Sequence, residues 1–297
     1  MTDKEKGFLL LTSPLGDEKR PRLTAAQFRV LAQRVAAMDA PKETRELNIG
    51  DLKALGYGVD MASRILALLD DEAVLEHYLN RGYRTGCRCI SRISGEYPLR
   101  VRQKLSLDAP GCFWTKGDTG LLELPKIALV GSRDIDADHL NFAKEVGRQA
   151  ALQGFALVSG NARGADRAAQ DACLQAGGCV ISVVADELQK QKGVENVLYV
   201  SEDGFDEVFS SQRAISRNRV IHSLGSATFV AQSAYQTGGT WDGTVKNLRF
   251  GWSPVLVYSD GSKAQQQLCE MGAQAVELDQ LRDLTVLVQS EKNLLDM

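Results

Sequence analysis

Two stretches of this chain gather residue types suited to holding an anion. The first is Val158-Ser159-Gly160-Asn161-Ala162-Arg163-Gly164-Ala165-Asp166. It follows an apolar run, Phe155 to Val158, that reads as a buried strand, then breaks into small residues and opens a helix. Glycine lets a backbone approach a ligand closely, and the free N–H groups of a helix N-terminus attract anions. The second stretch is Arg217-Asn218-Arg219, whose guanidinium groups carry fixed charge and forked donors suited to phosphate. Gly131-Ser132-Arg133 and Thr237-Gly238-Gly239-Thr240 add two more glycine turns. The expected phosphate site therefore takes charge from Arg133, Arg163, Arg217 and Arg219. Close backbone approach comes from Gly131, Gly160, Gly164, Gly238 and Gly239. Hydroxyl donors come from Ser132, Ser159, Thr237 and Thr240, with Asn218 beside them. Asp166 reads as a helix cap or as a holder of an arginine. For each residue the plain alternative is a turn or a surface ion pair, and for Arg167 and Arg249 that alternative is the better reading.

The elements that position these residues follow from hydrophobic periodicity. From Lys126 onward, short apolar strands alternate with amphipathic helices. Strands are expected at Ile127 to Val130, Phe155 to Val158, Cys179 to Val184, Val197 to Val200, Ala227 to Ala231 and Pro254 to Tyr258. Helices are expected at Ala137 to Leu152 (Leu140, Ala143, Val146 and Ala150 inward), Ala165 to Ala176, Gln212 to Leu224, Trp241 to Phe250 and Ser262 to Met271. A last strand and helix close the chain. This alternation predicts an α/β fold: a doubly wound, Rossmann-like, mainly parallel sheet over residues 126–297. Ligands of such sheets sit beyond the carboxyl ends of the strands, and every glycine and arginine motif falls there. Gly131-Ser132-Arg133 has a single glycine after the first strand, which argues against a dinucleotide, and no cofactor is expected.

Before the sheet, residues 1–90 read as a smaller helical domain. Residues 1–20 are expected to be loosely ordered at their start. Thr24-Ala25-Ala26-Gln27 fits a capping box, so a helix should run from Ala25 to about Met38, with Pro41 breaking it. Further helices are expected at Ile49 to Leu55, Asp60 to Leu69 and Asp71 to Asn80. The Gly56-Tyr57-Gly58 turn gives the outline of a helix-hairpin-helix, which can offer N–H groups to DNA phosphates; the alternative is a plain helical bundle. Residues 91–125 form a connector, in which Tyr97 and Trp114 are expected to anchor one domain on the other rather than to stack bases.

Composition limits the function classes. A quarter of the residues are charged and 44% are apolar, as in a soluble globular protein. No apolar stretch is long enough to span a bilayer, and the run after Met1 to Lys6 stops at Pro14, too short for a secretory signal. A cytoplasmic location is the default expectation. Six scattered cysteines, with Cys87-Arg88-Cys89 the one close pair, and three distant histidines give no metal-ligand spacing. The net charge of −3 gives no global attraction for nucleic acid, so any DNA contact needs a local basic face. One candidate is Arg81, Arg84, Arg88, Arg92, Arg100, Arg102 and Lys104; another is Arg213, Arg217 and Arg219.

The four motifs, in this order and at this spacing, resemble the DNA-processing protein A family (DprA/Smf). It belongs to the Rossmann-like SLOG group that also holds the LOG nucleotide hydrolases. The resemblance covers roughly residues 90 to 260 well and the N-terminus loosely. It implies single-stranded DNA gripped by its backbone, homodimerisation, and delivery of the strand to a RecA-type recombinase during uptake or recombination. The chain departs from the family pattern in places. Ala169-Gln170 stands where Ala-His is common, Gln232 replaces a glutamate, and nothing follows residue 297 to build an appended winged helix. These departures point to a divergent, short member, serving defence against foreign DNA as readily as uptake. The rival reading is enzymatic. Thr237-Gly238-Gly239-Thr240 also resembles the LOG turn, and an N-glycosidase acting on nucleoside monophosphates would use Asp242 or Asp166 as its acid. A third reading is a sensor that binds a nucleotide in the same pocket without turning it over.

Overall fold

A computed structural model describes residues 1–39, 43–202 and 204–289. The chain opens with α1 (Asp3–Thr12), where loose order was expected. The reason lies in the sequence: Thr2 accepts from the Glu5 N–H while Glu5 accepts from the Thr2 N–H, a complete capping box. Phe8, Leu9, Leu10 and Leu11 are all buried behind a charged first turn, so the apolar residues form one unbroken run with no amphipathic period. Four helices surround it: α2 (Ala25–Ala36), α3 (Ile49–Ala54), α4 (Val59–Asp70) and α5 (Glu72–Arg84). The Thr24–Gln27 box caps α2 as expected; the expected break at Pro41 lies outside the described residues. Arg20, buried, donates to the Leu10 and Leu68 carbonyls and to Asp71, tying α1, α4 and α5 together.

The remaining elements are β1 (Arg88–Ser91), α6 (Leu99–Leu105), β2 (Cys112–Lys116), β3 (Lys126–Val130), α7 (Ala137–Leu152), β4 (Ala156–Ser159), α8 (Ala165–Gln175), β5 (Val180–Val183), β6 (Val197–Ser201), α9 (Ser211–Ser216), α10 (Asn218–Leu224), β7 (Thr228–Val230), α11 (Gly238–Phe250), β8 (Val255–Tyr258), α12 (Lys263–Glu270), β9 (Gln274–Val276) and α13 (Leu284–Gln289). The nine strands form one sheet in the order β1-β2-β6-β5-β4-β3-β7-β8-β9. From β6 to β9 every pairing is parallel; β1 and β2 join antiparallel at the β6 edge. The stretch expected as a connector thus lengthens the sheet.

Both faces of the parallel strands are covered. Ile127, Leu129, Leu157 and Val180 pack with α7, α8 and the N-terminal helices. Ala128, Val130, Val158 and Ile181 pack with α6, α10, α11 and α12. Within α7, Ala143, Val146 and Ala150 face inward as expected, while Leu140 is half-buried and Phe142 takes the fully buried place. Tyr97 and Trp114 are buried and so not open to a nucleic-acid base; Tyr97 stacks on Phe113 and donates to the Pro110 carbonyl within the same stretch. Trp114 packs against Tyr78 of α5 and against Phe205, with ring centroids 5.4 and 4.7 Å apart. Among the described residues no helix is long and apolar enough to cross a membrane.

Candidate functional site

The strand order reverses between β3 and β7, since the chain runs from β3 outward to β6 and then returns to the other side of β3. The loops leaving these two strands diverge there and open a crevice. A cleft of about 360 Å³ occupies it, lined by Gly131, Ser132 and Arg133 after β3, by Ala162 and Asp166 at the start of α8, by Arg217 and Asn218, and by Thr237 to Thr240 at the start of α11. Sequence-distant motifs do converge on one rim.

Arg217 is the centre of this cleft. The helix expected over residues 212–224 is two helices, α9 and α10, that meet at Arg217. There the Val220 N–H donates to the Arg217 carbonyl, three residues back, which tightens the turn. The side chain is only 6% exposed, and its Nε and Nη1 find no hydrogen-bond partner among the described residues. Burial pulls its pKa below the ordinary arginine value, with nearby Asp166 opposing the shift. Asp166 is buried too, and burial raises its pKa against the charge of Arg217 and the hydrogen bonds from Ala162 and Gly160. Its Oδ2 accepts from the Gly160 N–H at 3.1 Å and from the Ala162 N–H at 3.4 Å. Asp166 therefore ties down the loop that precedes its own helix.

This changes what the glycines do. The N–H groups of Gly160 and Ala162 are committed to Asp166, and the Ala165 N–H donates to the Ser132 carbonyl, so the β4–α8 loop is not an open phosphate nest. A Cβ on Gly160 would lie 1.6 Å from Arg217 Nη1; glycine is needed there to seat the guanidinium. Gly164 has φ +87°, and a Cβ would meet the Ser132 carbonyl oxygen at 2.4 Å, so it lets two loops touch. The open donors come instead from α11. Its N-cap, Thr237, makes no side-chain capping bond, and its first turn carries no acid. Thr240 Oγ1 donates to the Gly131 carbonyl and holds that helix end at the cleft, and Asn218 Nδ2 donates to the Gly239 carbonyl from the other side. An uncapped helix N-terminus beside a buried guanidinium gives this cleft a positive character that favours an anion over a cation.

Two further depressions continue this cleft. One, of about 450 Å³, shares Arg133, Ala162 and Arg217 with it and adds Arg163, Asp186 and Phe209. The other, of about 380 Å³, shares Ile215 and Asn218 and adds Arg219, Lys246 and Trp252. Arg133 is exposed and makes no hydrogen bond or ion pair among the described residues, whereas Arg163 pairs with Asp134 at 2.9 Å in solvent. Phe209, Ile215 and Lys246 were not singled out from sequence, because nothing near them departs from ordinary loop and helix composition.

Other expected site residues are placed elsewhere or already occupied. Ser159 is fully buried and accepts from Gln170 at 2.6 Å. Ser132 Oγ donates to the Asp134 carbonyl and accepts the Asp134 N–H, closing a turn. Arg219 is held by Glu202 (2.6 Å), by the Asp108 carbonyl and by Ser216, outside the central cleft. Asp242 lies exposed on α11 and does not line the cleft. Asp166 is the one carboxylate among the described residues that do, and its oxygen is already engaged. The first basic stretch is largely structural: Arg81 pairs with Asp206 and Arg88 with Glu96, while Arg92, Arg100, Arg102 and Lys104 donate to backbone carbonyls. Arg213 likewise clamps the loop before α9.

A doubly wound, mainly parallel sheet with an arginine-lined cleft at its switch point defines a Rossmann-like α/β protein. Residues 88–287 match the DNA recombination-mediator protein A family, and the chain belongs to that family. It is 33% identical over 146 residues to DNA processing protein DprA of Streptococcus pneumoniae, covering 44% of this chain and 50% of that protein. The aligned stretch thus spans about half the length of that relative. The crystal structure of DprA from S. pneumoniae superposes with a TM-score of 0.69 at 24% identity, over 93% of this chain and 95% of that one. DNA processing protein A from Helicobacter pylori, solved to show its single-stranded DNA binding mode, gives a TM-score of 0.56 at 21% identity, over 70% of this chain and 96% of that one. At these identities the superpositions speak for the fold.

Proposed function

We propose that the cleft grips the phosphate backbone of single-stranded DNA and that the protein acts in DNA processing: uptake, recombination or defence against foreign DNA. The observation that carries this reading is Arg217, a buried guanidinium that lines the cleft with two donors lacking hydrogen-bond partners among the described residues, beside the N-terminus of α11. Family membership and the strand-binding H. pylori relative support it. A strand is favoured over a single nucleotide because the cleft runs on into depressions at both ends, with Arg133 and Arg163 along one and Lys246 along the other. Backbone-led binding of this kind is tolerant of sequence and sensitive to salt. The family resemblance also brings a homodimer and hand-over to a RecA-type recombinase into the proposal. Sedimentation of the chain alone and with RecA tests both.

The decisive experiment is anisotropy of labelled single-stranded and duplex oligonucleotides across a salt series, for the wild type and Arg217→Ala. Preference for the single strand is expected, with the logarithm of affinity falling linearly against that of salt. Arg217→Ala should lower affinity about ten- to a hundred-fold, the scale of a charged hydrogen bond, and reduce the slope by about 0.7. Absence of strand binding at low salt refutes the proposal. Tight binding of a nucleoside monophosphate with weak binding of strands would favour the sensor reading instead.

A further inference from the structure

Phe209 is 53% exposed, next to the exposed Val208. Its loop is clamped on both sides. Arg213 Nη1 donates to the carbonyls of Glu207 and Val208, each at 2.9 Å, and to that of Ala185 at 3.0 Å. On the other side Ser210 caps α9, accepting from the Arg213 N–H. Nothing about this backbone prevents burial by accident of flexibility; the ring is held out at the edge of the depression that contains Arg133, Arg163 and Arg217. Arg217, itself buried and unpartnered at Nε and Nη1, borders this depression as well as the central cleft. A nucleotide has the matching pair of features: an anionic phosphate and, one sugar away, a flat apolar base.

We infer that Phe209 is the stacking platform for a base of the bound strand, next to the phosphate held at Arg217. The inference rests on the strand-binding proposal above and adds a base-recognising subsite to it. Every base has a π-face, so the subsite is tolerant of sequence, and it favours unpaired bases because paired ones are stacked within the duplex.

The test compares an oligothymidine with a strand of equal length carrying abasic sites, bound to the wild type, Phe209→Ala and Phe209→Trp. If Phe209 stacks, Phe209→Ala weakens oligothymidine binding about ten-fold with the salt slope unchanged, and the abasic strand binds wild type and variant alike. Phe209→Trp keeps the affinity, and its fluorescence is quenched by oligothymidine but not by the abasic strand. Wild-type binding that Phe209→Ala leaves intact overturns the stacking inference and leaves the strand-binding proposal standing. So does an equal loss of the thymidine and abasic strands, which would mark Phe209 as a structural or self-association contact. Failure of the wild type to bind either strand overturns both.

Discussion

A buried guanidinium with two nitrogens lacking hydrogen-bond partners among the described residues is a cost to the free protein, and that cost can be measured. Two donors of Arg217, Nε and Nη1, are buried and unsatisfied. Each such group destabilises the fold by roughly 1–3 kcal/mol. Replacing Arg217 by methionine, an unbranched apolar side chain, removes the cost, but it also strips Asp166 of the charge that opposes its desolvation. Leaving one member of a buried charged couple alone is itself destabilising. The informative variant is therefore the pair Arg217→Met with Asp166→Asn. The asparagine oxygen can still accept from the Gly160 N–H, which the Asp166 carboxylate holds at 3.1 Å.

The double variant is expected to be more stable than the wild type by about 2 kcal/mol, the low end of two unmade hydrogen bonds. For a chain of 297 residues, at about 2.1 cal/mol/K of unfolding entropy per residue, that raises Tm by roughly 3 °C. Arg217→Met alone should gain less, or lose. Thermal unfolding with and without an oligonucleotide reads both halves of the argument. Strand at about a hundred-fold excess over its wild-type Kd should stabilise the wild type by roughly 2.7 kcal/mol and the double variant, at ten- to a hundred-fold weaker affinity, by only about 0.4–1.4 kcal/mol. A double variant less stable than the wild type would refute the reasoning. It would mean that Arg217 serves the fold, and the anion site would lose its main support.

Three other perturbations separate structural from ligand-facing groups. Arg219→Ala strands the buried Glu202 carboxylate and should lower stability in urea by about 3 kcal/mol, while the salt slope of strand binding stays at the wild-type value; Glu202→Gln in that background should restore most of the loss. Gly160→Ala places a methyl group where the Arg217 guanidinium sits, so anisotropy should show strand affinity falling as far as in Arg217→Ala, with no further loss in the double variant. His139 sits between two carboxylates, Nδ1 2.6 Å from Asp136 and Nε2 2.7 Å from Asp260. Burial opposes its protonation, but the hydrogen bonds to Asp260 and Asp136 outweigh burial and raise its pKa above the ordinary 6.5. The stabilisation is thus fully present below 6.5 and is lost as pH rises through the raised value. Asp136, through its hydrogen bond with His139, and Asp260, whose bond with His139 outweighs burial, are both held low; their share is lost only as pH falls through those lowered values. Tm of the wild type should fall on the alkaline side, and His139→Gln should flatten that limb.

The sequence was most legible where one periodicity dominated. The parallel strands were buried on both faces and so appeared as short apolar runs. α7 was found at its full length because its apolar positions recur at helical spacing. α1 escapes a reading by period because its apolar residues form one unbroken run after a charged turn, although its Thr2–Glu5 box is there to be read. The break at Arg217 was missed because residues 212–224 have helical composition throughout, and only the tertiary seat of one side chain divides them. The motifs do gather on one rim, but the glycines serve it differently from what their sequence suggests. A glycine-rich turn before a helix suggests bare N–H groups facing a phosphate, yet here Asp166 takes the N–H groups of Gly160 and Ala162. The glycine at 160 leaves room for an arginine supplied from 57 residues downstream. Two residues apart, Arg217 and Arg219 look equivalent in sequence. Helical geometry turns them about 200° from one another, so one enters the cleft and the other meets Glu202. The proposed phosphate site thus depends on long-range packing that brings one guanidinium to a glycine, which is why substitution at either position should produce the same loss in strand binding.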